Sequence, residues 1–224
     1  MNKGEIIDLS YPIDTDMLVG AGLERPVYEW LRRVNSEGLN LTRMSIVLHT
    51  GTHVDAPSHM IDRGESIDEI PLDRFFGPAR LFRHQSEKGQ EVSLSQVIES
   101  GFDLKAKTIF VLETGIERFA ETAKYNQQYS VPSIELIKWL IEHKAAAFMT
   151  DATNIDLPGD EDFPRHKLLL GAGIPIVENL KNLRFLPSNM DFLICALPLR
   201  LKGREAAPCR AIAILKTHHP DKQQ

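Results

Sequence analysis

Short apolar runs recur along the whole chain, at residues 6–9, 41–48, 79–82, 108–112, 147–149, 174–177, 192–196 and 211–215. Runs of this length, with little polar alternation, suit strands buried on both faces. Helix signals lie between them. The clearest spans 132–143, where Pro132 suits a first helical turn and Ile134, Ile137, Leu140 and Ile141 form one apolar stripe, with Glu135, Lys138 and Glu142 facing outward. Residues 93–100 and 118–125 read as weaker helices. The alternation predicts an α/β protein with a mixed sheet core flanked by helices. No repeat, low-complexity tract or glycine/serine linker divides it, so residues 1–224 are expected to form a single domain.

One segment carries chemistry. His49-Thr-Gly-Thr-His53-Val-Asp55-Ala-Pro-Ser-His59 puts three of the chain's 8 histidines and a carboxylate in one short stretch. Neutral imidazole and carboxylate are the ligands that zinc and neighbouring divalent metals accept. Two histidines four apart also occur on zinc-protease helices, but there a glutamate follows the first, and here Thr50 does. Gly51 and Pro57 disfavour a helix interior. The segment therefore reads as a loop at the C-terminal end of a strand over 41–48 that enters the core. Thr50, Thr52 and Ser58 are candidates to orient the imidazoles. For a single histidine, hydrogen bonding on a surface loop is the better expectation, and four candidate ligands together favour a metal.

Composition narrows the partners. The chain is 42% hydrophobic and 25% charged with a net charge of −5 and dispersed basic residues, so no nucleic-acid footprint is expected and the partner is a small molecule. The sequence shows no run of eighteen apolar residues and no secretory leader, which points to a cytoplasmic protein without a membrane span. Cys195 and Cys209 lack metal-ligand spacing and are expected to be reduced, buried thiols. His218 and His219, in a polar tail, are expected to be solvated, and His84 and His143 to be structural.

One short loop seldom completes a site. His166 and Glu178 are the best remaining pair, Glu178 because it follows the run 174–177 where a strand exit can point a carboxylate into a cleft. On composition alone, a solvated histidine near a loop and a glutamate opening a helix at Asn179 would be the better reading.

The segment from His49 to His59 resembles the signature of the cyclase family that includes bacterial kynurenine formamidases and isatin hydrolases. Asp8-Leu-Ser10, Ile70-Pro-Leu-Asp73, Thr114-Gly115, Thr150-Asp151 through Asp156, His166 through Glu178-Asn-Leu180, and Ala196-Leu-Pro-Leu199 fall in the order of related segments of that family. The resemblance implies a swivelling β/β/α fold assembled as homodimers or homotetramers. It also implies zinc, as one or two ions, with manganese as the alternative. The first metal would be held by His49, His53 and Asp55, the second by Asp55, His166 and Glu178, and His59 would be the catalytic acid/base. Formamidases carry a ring-contacting aromatic where this chain has Gly20, so Tyr28 or Trp30 would have to supply that surface.

The expected chemistry is hydrolysis of a small amide, lactam or ester carbonyl by metal-activated water, with His59 accepting and returning a proton. With a pKa of about 6.5, an unperturbed imidazole reaches either protonation state near neutrality. A metal-dependent lyase or cyclase, or a non-catalytic metal-binding protein, would use the same ligands.

Overall fold

The computed structural model describes residues 4–20, 22–84, 89–188 and 190–215. The expectation for His218 and His219 lies outside the described residues. The strands are β1 (Glu5–Asp8), β2 (Val27–Arg32), β3 (Leu41–Ser45), β4 (His53–Asp55), β5 (Phe76–Arg83), β6 (Glu91–Val92), β7 (Ile109–Glu113), β8 (Val131–Pro132), β9 (Phe148–Thr150), β10 (Ile176–Glu178), β11 (Asp191–Cys195), β12 (Ala206–Pro208) and β13 (Ile212–Leu215). The helices are α1 (Val34–Glu37), α2 (Leu94–Glu99), α3 (Ile134–Glu142) and α4 (Pro164–Gly171).

Nine strands form one mixed sheet in the order β1-β13-β11-β5-β7-β9-β10-β4-β12. The run β5, β7, β9 and β10 is parallel, and parallel neighbours need crossovers, which α2, α3 and α4 supply. These helices pack on one face through Val97, Leu136, Ile137, Leu140, Leu169 and Leu170 against Phe110, Phe148 and Ile176. With both faces covered, β7 reads as an unbroken apolar run, Ile109 to Leu112, every residue fully buried. On the other face its Val111, with Met149 of β9 and Val177 of β10, joins one cluster with Val54 and Ala207 from one end of the sheet and Ile194 and Ala213 from the other. The sheet therefore curls around its own core. Where its ends approach, Ser10 bridges Leu180 and the Lys181 amide donates to the Leu9 carbonyl.

Four local expectations change. Pro132 lies on β8, paired with Val92, and the helix begins two residues later at Ile134, with the hydroxyl of the capping Ser133 accepting from the Leu136 amide. Residues 116–119 and 123–126 are two short 3-10 turns in place of one helix. The strand expected over 41–48 stops at Ser45 and does not enter the core. It pairs with β2 in a ribbon exposed on both faces, so its polar/apolar alternation marks a hairpin. Cys195 and Cys209 are free and only partly buried.

Candidate metal centre

The ligand segment is a turn followed by a three-residue strand. Gly51 sits at φ 63°, a left-handed conformation that an L side chain rarely adopts, and its carbonyl turns back to accept from His53 Nδ1 at 2.9 Å. That bond leaves His53 Nε2 directed into the site. β4 then alternates. Val54 goes into the core, and His53 and Asp55 share the opposite side. In the β4–β10 pair Glu178 stands directly across from His53. The strand exit expected for Glu178 is correct, and Asn179 starts no helix but turns the chain at φ 58°.

His166 arrives from α4 and not from a loop. Pro164 occupies the first turn and Phe163 precedes it at φ 47°, ψ 52°, a left-handed residue held at a cost of about 1–3 kcal/mol. Asp156 organises this junction. Its carboxylate accepts from the Arg165 amide at 2.7 Å, the His166 amide at 3.2 Å and His166 Nδ1 at 2.7 Å. The imidazole is thereby aimed with Nε2 toward the cluster, as metal-ligating histidines usually are by a carboxylate partner. Arg165, buried beside it, donates to the Pro132 carbonyl and to Asp160 and pairs with Glu91.

These elements bring five expected ligands together. His49 Nδ1 is 2.8 Å from Asp55 Oδ1, and His53 Nε2 is 3.3 Å from the same oxygen and 3.7 Å from Glu178 Oε2. His166 Nε2 is 3.7 Å from Asp55 Oδ2 and 3.3 Å from Glu178 Oε1. Asp55 is thus the hub. His53, Asp55 and Glu178 present ligand atoms within 4.8 Å of one another, as do His49, Asp55 and His59. His59 lies in the short 3-10 turn Pro57–His59, its ring 4.3 Å from that of His49 and 6.0 Å from that of His166.

The donor set fits a divalent cation. His53 Nε2, Asp55 Oδ1 and Glu178 Oε1 are fully buried and form no well-directed hydrogen bond, with only the ion-pair contacts to neighbouring members of the cluster, His49 Nδ1 at 2.8 Å from Asp55 Oδ1 among them, and buried polar atoms are rarely left so. Burial opposes charge on His53, but Asp55 and Glu178 raise its pKa to about 9. His166 is likewise raised, against burial, by Asp156, Asp55 and Glu178. Burial also opposes charge on Asp55, yet the surrounding imidazoles hold it well below the usual carboxylate range. Glu178 is pushed up by burial and by the charge of Asp55. In the metal-free fold, protons on histidines balance the carboxylates where a cation would do so.

His59 differs. Burial, with His49, His166 and His53 beside it, lowers its pKa to about 4 despite Asp55. It is a neutral base at pH 7, where the unperturbed value of 6.5 would have left about a quarter of it protonated.

Four other expectations resolve. Thr52 Oγ1 donates to the Asn179 carbonyl at 2.6 Å and accepts from the Tyr11 amide, pinning the turn to β10. Thr50 and Ser58 hydroxyls make no hydrogen bond, so the imidazole-orienting groups are the Gly51 carbonyl and Asp156. Tyr28 and Trp30 lie on the exposed hairpin, away from the cavity. His84 and His143 do not line it either.

That cavity, about 440 Å³, opens over the cluster and is lined also by Leu23, Met60, Tyr129, Leu157 and Phe163. Sequence reasoning missed Phe163 and the orienting role of Asp156. Phe-Pro ahead of a histidine, and a carboxylate ten residues before it, were the available signals.

The family model described as Cyclase matches residues 7–157. A kynurenine formamidase from Salinibacter ruber is 30% identical over 210 residues, 92% of this chain and 96% of that protein. One from Bacillus thuringiensis is 27% identical over 221 residues, 95% and 98% respectively. Among solved structures, isatin hydrolase A from Labrenzia aggregata, bound to benzyl benzoate, superposes with a TM-score of 0.85 at 27% identity, covering 95% of this chain and 94% of that one. With its curled mixed sheet, its histidine and carboxylate cluster and this full-length likeness, the chain belongs to the cyclase family.

Proposed function

We propose that the protein is a metal-dependent hydrolase that opens a carbon–nitrogen bond, other than a peptide bond, in a small amide or lactam such as an aryl formamide or an isatin-like ring. The observation that carries this reading is the convergence of three buried ligand atoms that form no well-directed hydrogen bond, His53 Nε2, Asp55 Oδ1 and Glu178 Oε1, on the lining of a cavity sized for a small molecule. Relatives named for formamide and isatin hydrolysis support the bond type.

His49, His53 and Asp55 would hold one cation, and Asp55, His166 and Glu178 a second. Zinc suits this nitrogen and oxygen set, and manganese is the alternative. When bound, such a cation acidifies a coordinated water and polarises a carbonyl. His59, neutral at pH 7 and within the cleft, takes a proton from the attacking water and returns it to the leaving nitrogen. Asp156 holds His166 in one ring orientation, and the Gly51 carbonyl does the same for His53. Leu23, Met60, Leu157 and Phe163 shield the reacting carbonyl from bulk water.

Assembly as a homodimer or homotetramer is supported by the β2–β3 ribbon. It exposes Val27, Trp30, Leu31, Leu41 and Met44, and an isolated two-stranded hairpin is marginal in water. No helix among the described residues is long and apolar enough to cross a membrane. Free Cys195 and Cys209 suit a reducing compartment, and we place the enzyme in the cytoplasm.

Assays of metal-loaded protein on formanilide and isatin in ¹⁸O-water test the function. Hydrolysis puts one solvent oxygen in the new carboxylate. Turnover without incorporation of label indicates a lyase or cyclase, and inactivity on both substrates defeats the reading.

A further inference from the structure

The ligand imidazoles of the cluster each offer one ring nitrogen inward and leave the other to be held. His53 donates its outer nitrogen, Nδ1, to the Gly51 carbonyl at 2.9 Å, and His166 donates Nδ1 to Asp156 at 2.7 Å. His49 is turned the other way round. Its Nδ1 lies 2.8 Å from Asp55 Oδ1, the oxygen that His53 Nε2 also approaches at 3.3 Å. Nδ1 is therefore the atom that His49 offers inward, and Nε2 is the one left over. Glu205 Oε1 stands 4.0 Å from that Nε2.

The backbone fixes Glu205 at this place. β12 begins with Ala206 directly opposite Asp55, and the Glu205 carbonyl accepts from the Ala56 amide at 2.8 Å. The main chain of Glu205 is thus tied beside the ligand strand, while its side chain, 40% exposed, has room to turn. Glu205 is not on the cavity lining, so it meets His49 from outside the substrate space. Closing the 4.0 Å separation to a charge-assisted hydrogen bond of about 2.8 Å needs only a side-chain rotation. The chemistry of the ring calls for that bond. A neutral imidazole carries one N–H, and with Nδ1 given to a cation the hydrogen sits on Nε2. A ring donor of this kind is ordinarily held by a carboxylate or carbonyl, which fixes tautomer and ring orientation together.

We infer that Glu205 is the positioning residue of His49. It accepts the Nε2 hydrogen when a cation is bound, and so does for His49 what the Gly51 carbonyl and Asp156 do for His53 and His166. The inference rests on the metal-dependent reading of the cluster, but its test needs no substrate.

Zinc is titrated into the wild type, Glu205→Gln and Glu205→Ala in competition with a chelator, and ¹⁵N imidazole spectra are recorded with and without zinc. Glu205→Ala is expected to weaken zinc binding by about tenfold to a hundredfold, the range for a lost outer partner of a ligand. The number of zinc ions at saturation and the melting temperature of the metal-free protein are expected to stay unchanged. Glu205→Gln, which keeps an acceptor oxygen without the charge, is expected to lose less than tenfold. In the zinc-loaded wild type, His49 is expected to carry its hydrogen on Nε2 as a slowly exchanging N–H, which Glu205→Ala gives up to fast exchange with solvent. Affinity of Glu205→Ala within twofold of the wild type, or a His49 hydrogen on Nδ1 in the zinc-loaded wild type, overturns the inference. A zinc ion missing at saturation overturns it as well, since Glu205 would then be a ligand. If Glu205→Ala fails to fold, the wild-type spectrum and the affinity of Glu205→Gln still decide, and full wild-type affinity with an exposed Nε2–H speaks against the role. Should the wild type bind no zinc at the cluster, the metal-dependent reading fails and takes this inference with it. Zinc binding that ignores both substitutions defeats the role of Glu205 alone.

Discussion

His53 and Glu178 face each other in register across the β4–β10 pair, and their nearest side-chain atoms, Nε2 and Oε2, stop at 3.7 Å. Two buried groups of opposite tendency, held by backbone pairing just beyond hydrogen-bond length, leave a gap that suits an ion better than a proton. Asp55, two residues along the same strand, closes it from the side at 3.3 Å.

Because Asp55 meets His49, His53 and His166, its removal should be felt at every ligand. Asp55→Asn is expected to weaken zinc or manganese binding by about a hundredfold or more, beyond the tenfold to hundredfold of an outer partner. It should also destabilise the metal-free protein by about 3 kcal/mol, since it leaves buried imidazoles uncompensated. Calorimetric titration and urea unfolding measure the two effects. Unchanged metal affinity would contradict the hub role.

Metal binding should release protons. His53, with a pKa of about 9, and His166, also raised, are charged at pH 7 without metal, and each must be neutral to ligate. Affinity is therefore expected to rise with pH up to about 9. Titrations in buffers of different ionisation enthalpy should show about one proton from each histidine. The raised His53 pKa also adds stability to the metal-free protein below its unfolded value of 6.5, and this is lost as pH rises through about 9.

Asp156 should act through His166. Asp156→Asn keeps the shape but offers a poorer acceptor, and a loss of tenfold to a hundredfold in metal affinity is expected with all ligands still present, roughly the scale of lost outer-shell carboxylates. Asp156→Ala should lose more, since the amides of Arg165 and His166 also lose their acceptor. A merely structural role would lower the melting temperature and leave metal affinity alone.

His59→Ala is expected to retain metal and lower kcat by roughly 10²–10⁴-fold, the range for a lost general acid/base. Metal content by elemental analysis separates this from a ligand role, for which loss of metal would be the signature. With its pKa lowered to about 4, neutral His59 stabilises the fold above 6.5, and that contribution disappears as pH falls through about 4. The variant should therefore flatten the acid limb of the stability profile of the metal-free protein.

Much of this centre was legible because the five ligands are chemically distinctive, four of them lying in or beside runs the sequence marks out, such as the short segment 49–59 and the strand run 174–177 that ends at Glu178. The same logic misled at 41–48, where true alternation belongs to a ribbon exposed on both faces, and pattern alone does not distinguish a core from a hairpin. β4 was invisible as a strand, since three residues between Gly51 and Pro57 carry no periodicity. The helix around His166 was hidden because it is short and its apolar residues Leu168-Leu-Leu170 run consecutively without helical spacing, and only Pro164 at its start hints at it. Phe163 and Asp156 owe their roles to the junction ahead of α4, a tertiary arrangement that the Phe-Pro pair and the spacing of Asp156 from His166 signal only weakly.

The most direct test is anomalous diffraction from crystals of protein loaded with zinc or manganese, collected at the absorption edge of the metal. The account predicts a strong peak within ligand distance of His53 Nε2 and Asp55. A fully metal-loaded crystal with no peak there, or with the metal held only by surface residues, would contradict it.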